Sequence, residues 1–224
     1  TGRVIRGTET ATRDASGEGT AVHDRAAVDP DQVVAAARAF VGVIQQVPPM
    51  VSAVRVGGRR LHEIAREGGE VERNPRTVTV HRFDVAPGDK QGTYDIAVAC
   101  SSGTYIRTLA ADLGTALGGG AHLRDLRRTS IGSFTEVEAR PVETPILLPM
   151  TEALRDLGGV HVDEATAVDV SFGRPLDLDR LGVEPGATEV GPWPVHGPDG
   201  ALLAVYEPHR GGAKPAVVLA PAVS

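Results

Sequence analysis

Cysteine is almost missing from this chain, and aromatic residues are scarce. A single cysteine, Cys100, stands among 224 residues, so no internal disulfide and no cysteine-cluster metal site can form. Such usage fits a reducing cytoplasm. With aromatics at 4%, the core has to rest on Val, Leu, Ile and Ala. No stretch approaches the roughly 18 consecutive apolar residues of a membrane span, and no secretory signal opens the chain. His62, His81, His122 and His161 lack the H-x-x-x-H type of spacing, which argues against zinc. Cys100 closes an apolar alternation and reads as an inert core residue. Ser101 and Ser102 precede a glycine but form no G-x-S-x-G elbow, so they read as turn residues.

Negative charge is plentiful but local. The net charge is −6. Residues 1–140 carry 18 Lys/Arg against 17 Asp/Glu, whereas residues 141–190 carry 3 against 10. The first part can therefore meet an anionic partner despite the overall sign.

What is present reads as two regions. "GTETATRDASGEG" (Gly7 to Gly19) is a loop. Asp29 and Pro30 open a helix, with Gln32 at the capping-box position, and Gly42 is expected to stop it before Ile44. Pro48 and Pro49 exclude any helix through "QQVPPM". "RRLHEIAREGG" predicts a short helix ended by Gly68. "RTVTVHRFDV" alternates at Val78 and Val80 and shifts phase by Phe83, as a bulge would make it. "TYDIAVAC" puts Tyr94, Ile96, Val98 and Cys100 on one face, and a turn at Gly88 makes the two an antiparallel hairpin. Ile106, Leu109, Ala110, Leu113 and Leu117 form one helical stripe. "AHLRDLRRTSIGSF" reads as a turn running into a strand. Three prolines in "ARPVETPILLPM" mark a domain boundary, followed by short strands in "DGALLAVYEP" and "KPAVVLAP". The first region is α+β, and the second is a small β-rich module.

The stretch "CSSGTYIRTLAADLG" places Tyr105 and Arg107 where strand gives way to helix. Two helical residues two apart point about 200° from each other, whereas two extended ones share a face. Ile106 starts the apolar stripe, which favours both lying ahead of the helix. A guanidinium there can hold a carboxylate bidentately, and the ring can stack on a base. Arg55, Arg59 and Arg60 gather beside Gly57–Gly58, and Arg124, Arg127 and Arg128 form a second cluster. Two arginine clusters flanking the junction suggest a nucleic-acid cleft.

The long stretches "QVPPMVSAVRVGGRRLHEIAREGGEVERNPRTVTVHRF" and "CSSGTYIRTLAADLGTALGGGAHLRDLRRTSIGSF", with the Gly7–Gly19 loop, resemble the TruB-type tRNA pseudouridine synthases. The resemblance covers most of residues 1–140. It implies a mixed, mostly antiparallel sheet with flanking helices, and a uridine of the transfer RNA T-stem-loop flipped into a cleft. By the same resemblance Tyr105 lies at the flipped nucleotide, Arg107 pairs with a catalytic aspartate, Leu126 packs near the base, and Asp14 contacts substrate. Residues 52–76 match a thumb over the RNA, with Arg55 on it. The implied layout is a partial catalytic domain over 1–144, then a linker and a small RNA-binding module of the PUA kind over 145–224. No metal, no organic cofactor and no protein partner are implied, and a cytoplasmic monomer is expected.

The chain departs from the family at the nucleophile. The family's aspartate sits in a "G-x-L-D-P-x-A-T-G" motif and attacks the nucleoside before the base is turned and rejoined through carbon. No such motif occurs here; Asp29–Pro30 is a helix cap. Nothing in the spacing places Asp14 or Asp112 against Arg107. The expectation is a chain that begins partway through a longer protein. By that expectation the chain, which opens at Thr1, is inactive by itself. The alternative is an RNA-binding relative that assists tRNA folding without catalysis.

Overall fold

A computed structural model describes residues 1–23, 28–183 and 191–220. The chain folds as two units, Thr1–Thr129 and Ser130–Ser224. The first runs β1 (Gly2–Arg6), β2 (Thr8–Thr10), β3 (Gly19–Val22), α1 (Pro30–Arg38), β4 (Gly42–Gln46), β5 (Arg55–Val56), β6 (Arg59–Arg60), α2 (Leu61–Arg66), β7 (Arg76–Pro87), β8 (Thr93–Cys100), α3 (Ile106–Ala116) and β9 (Ala121–Arg124). Five strands make one sheet in the order β4-β7-β8-β1-β9, each neighbouring pair antiparallel.

Strand alternation decides which face of this sheet is buried. In β1, Val4 pairs with Tyr94 of β8 on one side and Leu123 of β9 on the other. All three are buried, and they meet Val33 and Ala37 of α1 and Leu109, Ala110 and Leu113 of α3. The stripe expected on α3 is thus the face it packs. Burial of Leu109 and Leu113, at 0% and 1% exposure, contributes about 1.5–3 kcal/mol each. The phase shift in β7 is a bulge: its register against β8 slips between Val80 and Arg82. That slip allows Val78, Val80 and Phe83 all to be buried.

The helix does stop before Ile44, as expected, and residues 42–46 are a strand. α1 ends at Arg38 with Ala39 as its cap, Gly42 turns the chain at φ +115°, and Ile44 then pairs with Val78. Ladder hydrogen bonds to β7 hold these residues extended. One local expectation is corrected: Ala121–Arg124 is not a turn but strand β9, the neighbour of β1.

The second unit holds β10 (Ser130–Ile131), β11 (Phe134–Thr135), α4 (Met150–Ala153), β12 (Val160–His161), α5 (Glu164–Ser171), α6 (Leu178–Leu181), β13 (Trp193–His196), β14 (Leu202–His209) and β15 (Gly212–Val218). Its main sheet is β12-β13-β14-β15, with β12 and β13 parallel. Val170, Leu181, Val195, Ala204 and Tyr206 fill its core. The Tyr206 hydroxyl, carried inward with its ring, donates to the Arg174 carbonyl at 2.8 Å.

This division falls ahead of the proline-rich stretch where composition put the boundary. The β10–β11 hairpin is tied forward to residues near 155: Ser133 N–H donates to Asp156 at 3.0 Å, and Arg155 Nε donates to Ser133 Oγ at 2.7 Å. Acidic residues of the 141–190 segment act as caps and ion-pair partners. Asp163 caps α5 by accepting from Thr166 N–H at 2.7 Å. Asp169 receives Arg174 at 2.6 Å and Arg180 at 2.9 Å. Residues 184–190 of that segment lie outside the described residues.

Candidate active site

Tyr105 and Arg107 do not both precede the helix. Tyr105 is the N-cap of α3, with extended backbone at φ −96° and ψ 101°, and the helix begins at Ile106. Arg107 therefore lies in the first turn, and the extended-to-helical switch between the two sets their relative direction.

The Arg107 guanidinium is held by two other segments. Nη1 donates to Asp14 Oδ2 at 2.9 Å and to the Thr12 carbonyl at 3.1 Å. Nη2 donates to the Val51 carbonyl at 2.8 Å. These bonds use three of the five N–H donors of a guanidinium. The donors outside them are Nε–H and one N–H of Nη2.

Asp14 stands against Arg107, which corrects the expectation that nothing places it there. A tight turn brings it: Arg13 adopts a left-handed φ of +61°, and its guanidinium donates to the buried Thr108 hydroxyl of α3 at 3.0 Å. The loop is thus latched to the helix at Arg13–Thr108 and again at Asp14–Arg107. Asp14 Oδ1 also accepts from Thr12 Oγ1 at 2.6 Å, from Ser16 N–H at 3.0 Å and from the Ser16 hydroxyl. Burial pushes the Asp14 carboxyl up, but the bonds from Ser16, Thr12 and Arg107 outweigh it and hold the group below the usual range. A carboxylate so fully engaged is an orienting group for Arg107 and a poor nucleophile. Asp112 stays apart, five residues along α3. Burial raises its carboxyl, with Arg13 opposing.

The other expected residues sit as follows. Leu126 is 54% exposed and lies over Gly2, where a Cβ would meet it at 3.5 Å. Its neighbour Arg127 fixes it there by exchanging backbone hydrogen bonds with Thr1 at 2.8 Å in both directions. Arg55, Arg59 and Arg60 are exposed on the β5–β6 hairpin, whose turn uses Gly57 and Gly58 at φ +57° and +83°. Arg59 pairs with Glu67 at 2.6 Å. Arg124 pairs with Asp125 at 3.2 Å and lines an open concavity of about 520 Å³ with Lys90 and His122. Arg128 is exposed.

Sequence reasoning missed Gln46, Thr12, Arg13 and the Val51 carbonyl. Only Gln46 leaves a trace in the sequence, as a polar residue ending a strand just before two prolines. Among the described residues no group of three or more His, Cys, Asp or Glu is placed to hold a metal, and no helix is long and apolar enough to cross a membrane.

Residues 1–106 match the model of the TruB family pseudouridylate synthase N-terminal domain. Residues 107–144 match that of the tRNA pseudouridylate synthase B C-terminal domain. A tRNA pseudouridine synthase B from Arthrobacter sp. (strain FB24) is 41% identical over 232 aligned positions, covering 99% of this chain and 76% of the relative. The chain belongs to the TruB family. Its synthases are isomerases that act on transfer RNA. A second TruB relative, the tRNA pseudouridine synthase B of Symbiobacterium thermophilum, is 46% identical over 178 positions, which cover 76% of this chain and 59% of the relative. Among solved structures, a Cbf5-Nop10-Gar1 complex superposes with a TM-score of 0.65 at 22% identity, over 98% of this TruB chain and 67% of that chain. An H/ACA RNP bound to a substrate RNA containing 2'-deoxyuridine gives 0.62 at 19%, over 99% and 65%. At those identities the likeness speaks for the fold: an α+β pseudouridine synthase architecture, with a small β-rich unit after it.

Proposed function

We propose that this chain grips the T-stem-loop of transfer RNA and supplies the arginine side of a uridine isomerase site. The observation that carries this reading is the Arg107 guanidinium. It is fixed by Asp14, Thr12 and Val51 through three of its five N–H donors, which leaves two for one more acceptor. That acceptor is the family's nucleophilic aspartate, and Arg107 orients it and holds it ionised. Tyr105 meets the flipped base, with Leu126 beside it, and Asp14 orients Arg107. Residues 52–76 close as a thumb, with Arg55, Arg59 and Arg60 on phosphates and Arg124, Arg127 and Arg128 on the flanking backbone. Residues 1–144 act as the catalytic part. Residues 145–224 act as a linker and a PUA-like RNA-binding module of a cytoplasmic monomer that needs no cofactor.

The second reading is an RNA-binding relative without turnover. The two are separated by a transfer RNA transcript carrying tritium at uridine C5, since rejoining the base through that carbon expels the label. The 224-residue chain is expected to bind this RNA in competition with the isolated T-stem-loop and to release no tritium. Release would mean that a carboxylate of this chain serves as nucleophile. Failure of the stem-loop to compete would reject the T-loop assignment.

A further inference from the structure

Gln46 ends β4 with its side chain inside the protein, at 2% exposure. An amide group is costly to bury unless it is hydrogen-bonded. Here both ends are engaged on one residue: Gln46 Oε1 accepts the Tyr105 N–H at 2.7 Å, and Nε2 donates to the Tyr105 carbonyl at 3.1 Å. A backbone N–H can only donate and a carbonyl can only accept, so the amide orientation is unambiguous. The pair reproduces, with a side chain, the two-bond exchange of an antiparallel ladder.

This clamp decides where α3 begins. Tyr105 caps the helix without any bond from its own side chain, and its carbonyl already accepts from Leu109 N–H at 3.1 Å. Held extended by Gln46, it stays outside the helix, and Arg107 becomes the second helical residue. A start one residue earlier or later would swing Arg107 by about 100° and break its bonds with Asp14 and Val51. The same short segment then grips both residues: Gln46 holds Tyr105, and five residues on, the Val51 carbonyl holds Arg107. Between them Pro48 and Pro49 lack N–H donors and cannot prolong β4.

We infer that Gln46 is the positioning residue for Tyr105, setting the direction of its ring toward the RNA base without touching RNA itself. The inference rests on the reading that Tyr105 meets the base, and the test keeps the two apart.

The full 224-residue chain is labelled with 3-fluorotyrosine and followed by fluorine NMR. It has three tyrosines; Tyr94 and Tyr206 are buried at 7% and 0% exposure and serve as internal references, and Tyr105→Phe assigns the third line. In Gln46→Leu the Tyr105 line is expected to move or split while the Tyr94 and Tyr206 lines stay. Gln45→Leu, which removes only an exposed bond to Thr77, should leave all three in place. A Tyr105 line identical in Gln46→Leu and wild type overturns the inference. Should all three lines collapse, Gln46→Glu decides. It keeps the acceptor for Tyr105 N–H and loses the donor when ionised, so its Tyr105 line should shift with pH where the wild-type line does not. A pH-independent, wild-type-like line overturns the inference equally. T-stem-loop RNA is then added to wild type. If the Tyr105 line moves in Gln46→Leu but ignores RNA in wild type, the clamp stands and the base-contact reading falls.

Discussion

Arg107 in the first unit and Arg155 in the second are both clamped by carboxylate and carbonyl oxygens, yet they are opposite in kind. Arg155 uses every part of its guanidinium. Nε donates to Ser133 Oγ, Nη1 pairs with Glu138 at 2.8 Å and Glu152 at 3.4 Å, and Nη2 reaches the Ser133 carbonyl and Glu138. Its face stacks 3.9 Å above the Phe134 ring. Arg107 stacks on no ring among the described residues and has three donors committed. A saturated arginine fastens its own fold together, here a hairpin to a helix. An arginine with donors to spare can take a further acceptor. Counting donors separates the two where the residue name cannot.

The largest expected effect breaks this comparison from the open side. In a TruB protein that carries the nucleophilic aspartate, Arg107→Ala should cut turnover by about 10²–10³-fold with RNA affinity nearly unchanged. Equal loss of rate and affinity, measured by tritium release and filter binding, would remove Arg107 from the chemistry. Next comes Asp14→Asn, which leaves the guanidinium half-pinned. A loss of about 1–2 kcal/mol in stability is expected, with a smaller drop in rate than for Arg107→Ala. Because the folded-state pKa of Asp14 is lowered, its contribution is present above the unfolded carboxylate range and fades as pH falls through the lowered value. Urea midpoints across pH 5 to 2 should show the fade in wild type and its absence in Asp14→Asn.

The arginine hairpin gives a third, intermediate effect. Arg55→Gln with Arg60→Gln should flatten the log–log salt dependence of RNA binding by about 0.7–0.9 for each phosphate that is no longer neutralised; an unchanged slope would take these residues off the phosphates. The smallest effect on function sharpens the comparison from the closed side. Arg155→Met should leave turnover and RNA affinity at wild-type values while the second unit melts earlier. Arg155 and Thr135 lower the Glu138 carboxyl from 4.5 to about 2. The stability this supplies is therefore complete above pH 4.5 and lost as pH falls toward about 2. The variant should lose most of that acid dependence, as circular dichroism melts can show.

Much of the frame was legible because it rests on local patterns. The β7 phase shift named its own bulge, and five apolar residues named the buried face of α3. The long TruB-like stretches carried Tyr105 and Arg107 as a pair of interest. Tertiary context decided the remainder. β4 is a five-residue run between Gly42 and two prolines, and it becomes a strand only because β7 offers a ladder. Asp14 reaches Arg107 across 93 positions through a left-handed Arg13, a conformation that arginine seldom adopts and no propensity predicts. Gln46 shows in sequence only as a polar residue ahead of two prolines, and its hold on Tyr105 emerges only with its burial. An inert junction and an anion grip look alike in sequence, and the bonds of Arg107 are visible only in the fold.

The interior place of β1, between β8 and β9, has a consequence in time. Both of its partners are distant in sequence: β8 begins at Thr93 and β9 at Ala121. At about 5–20 residues per second of synthesis, β1 waits roughly 6–24 s for its second neighbour. Until then β1 lacks the β9 ladder that completes its pairing. Asp14 cannot be latched to α3 before Arg107 and Thr108 have emerged. The latched site is therefore among the last features of the unit to exist.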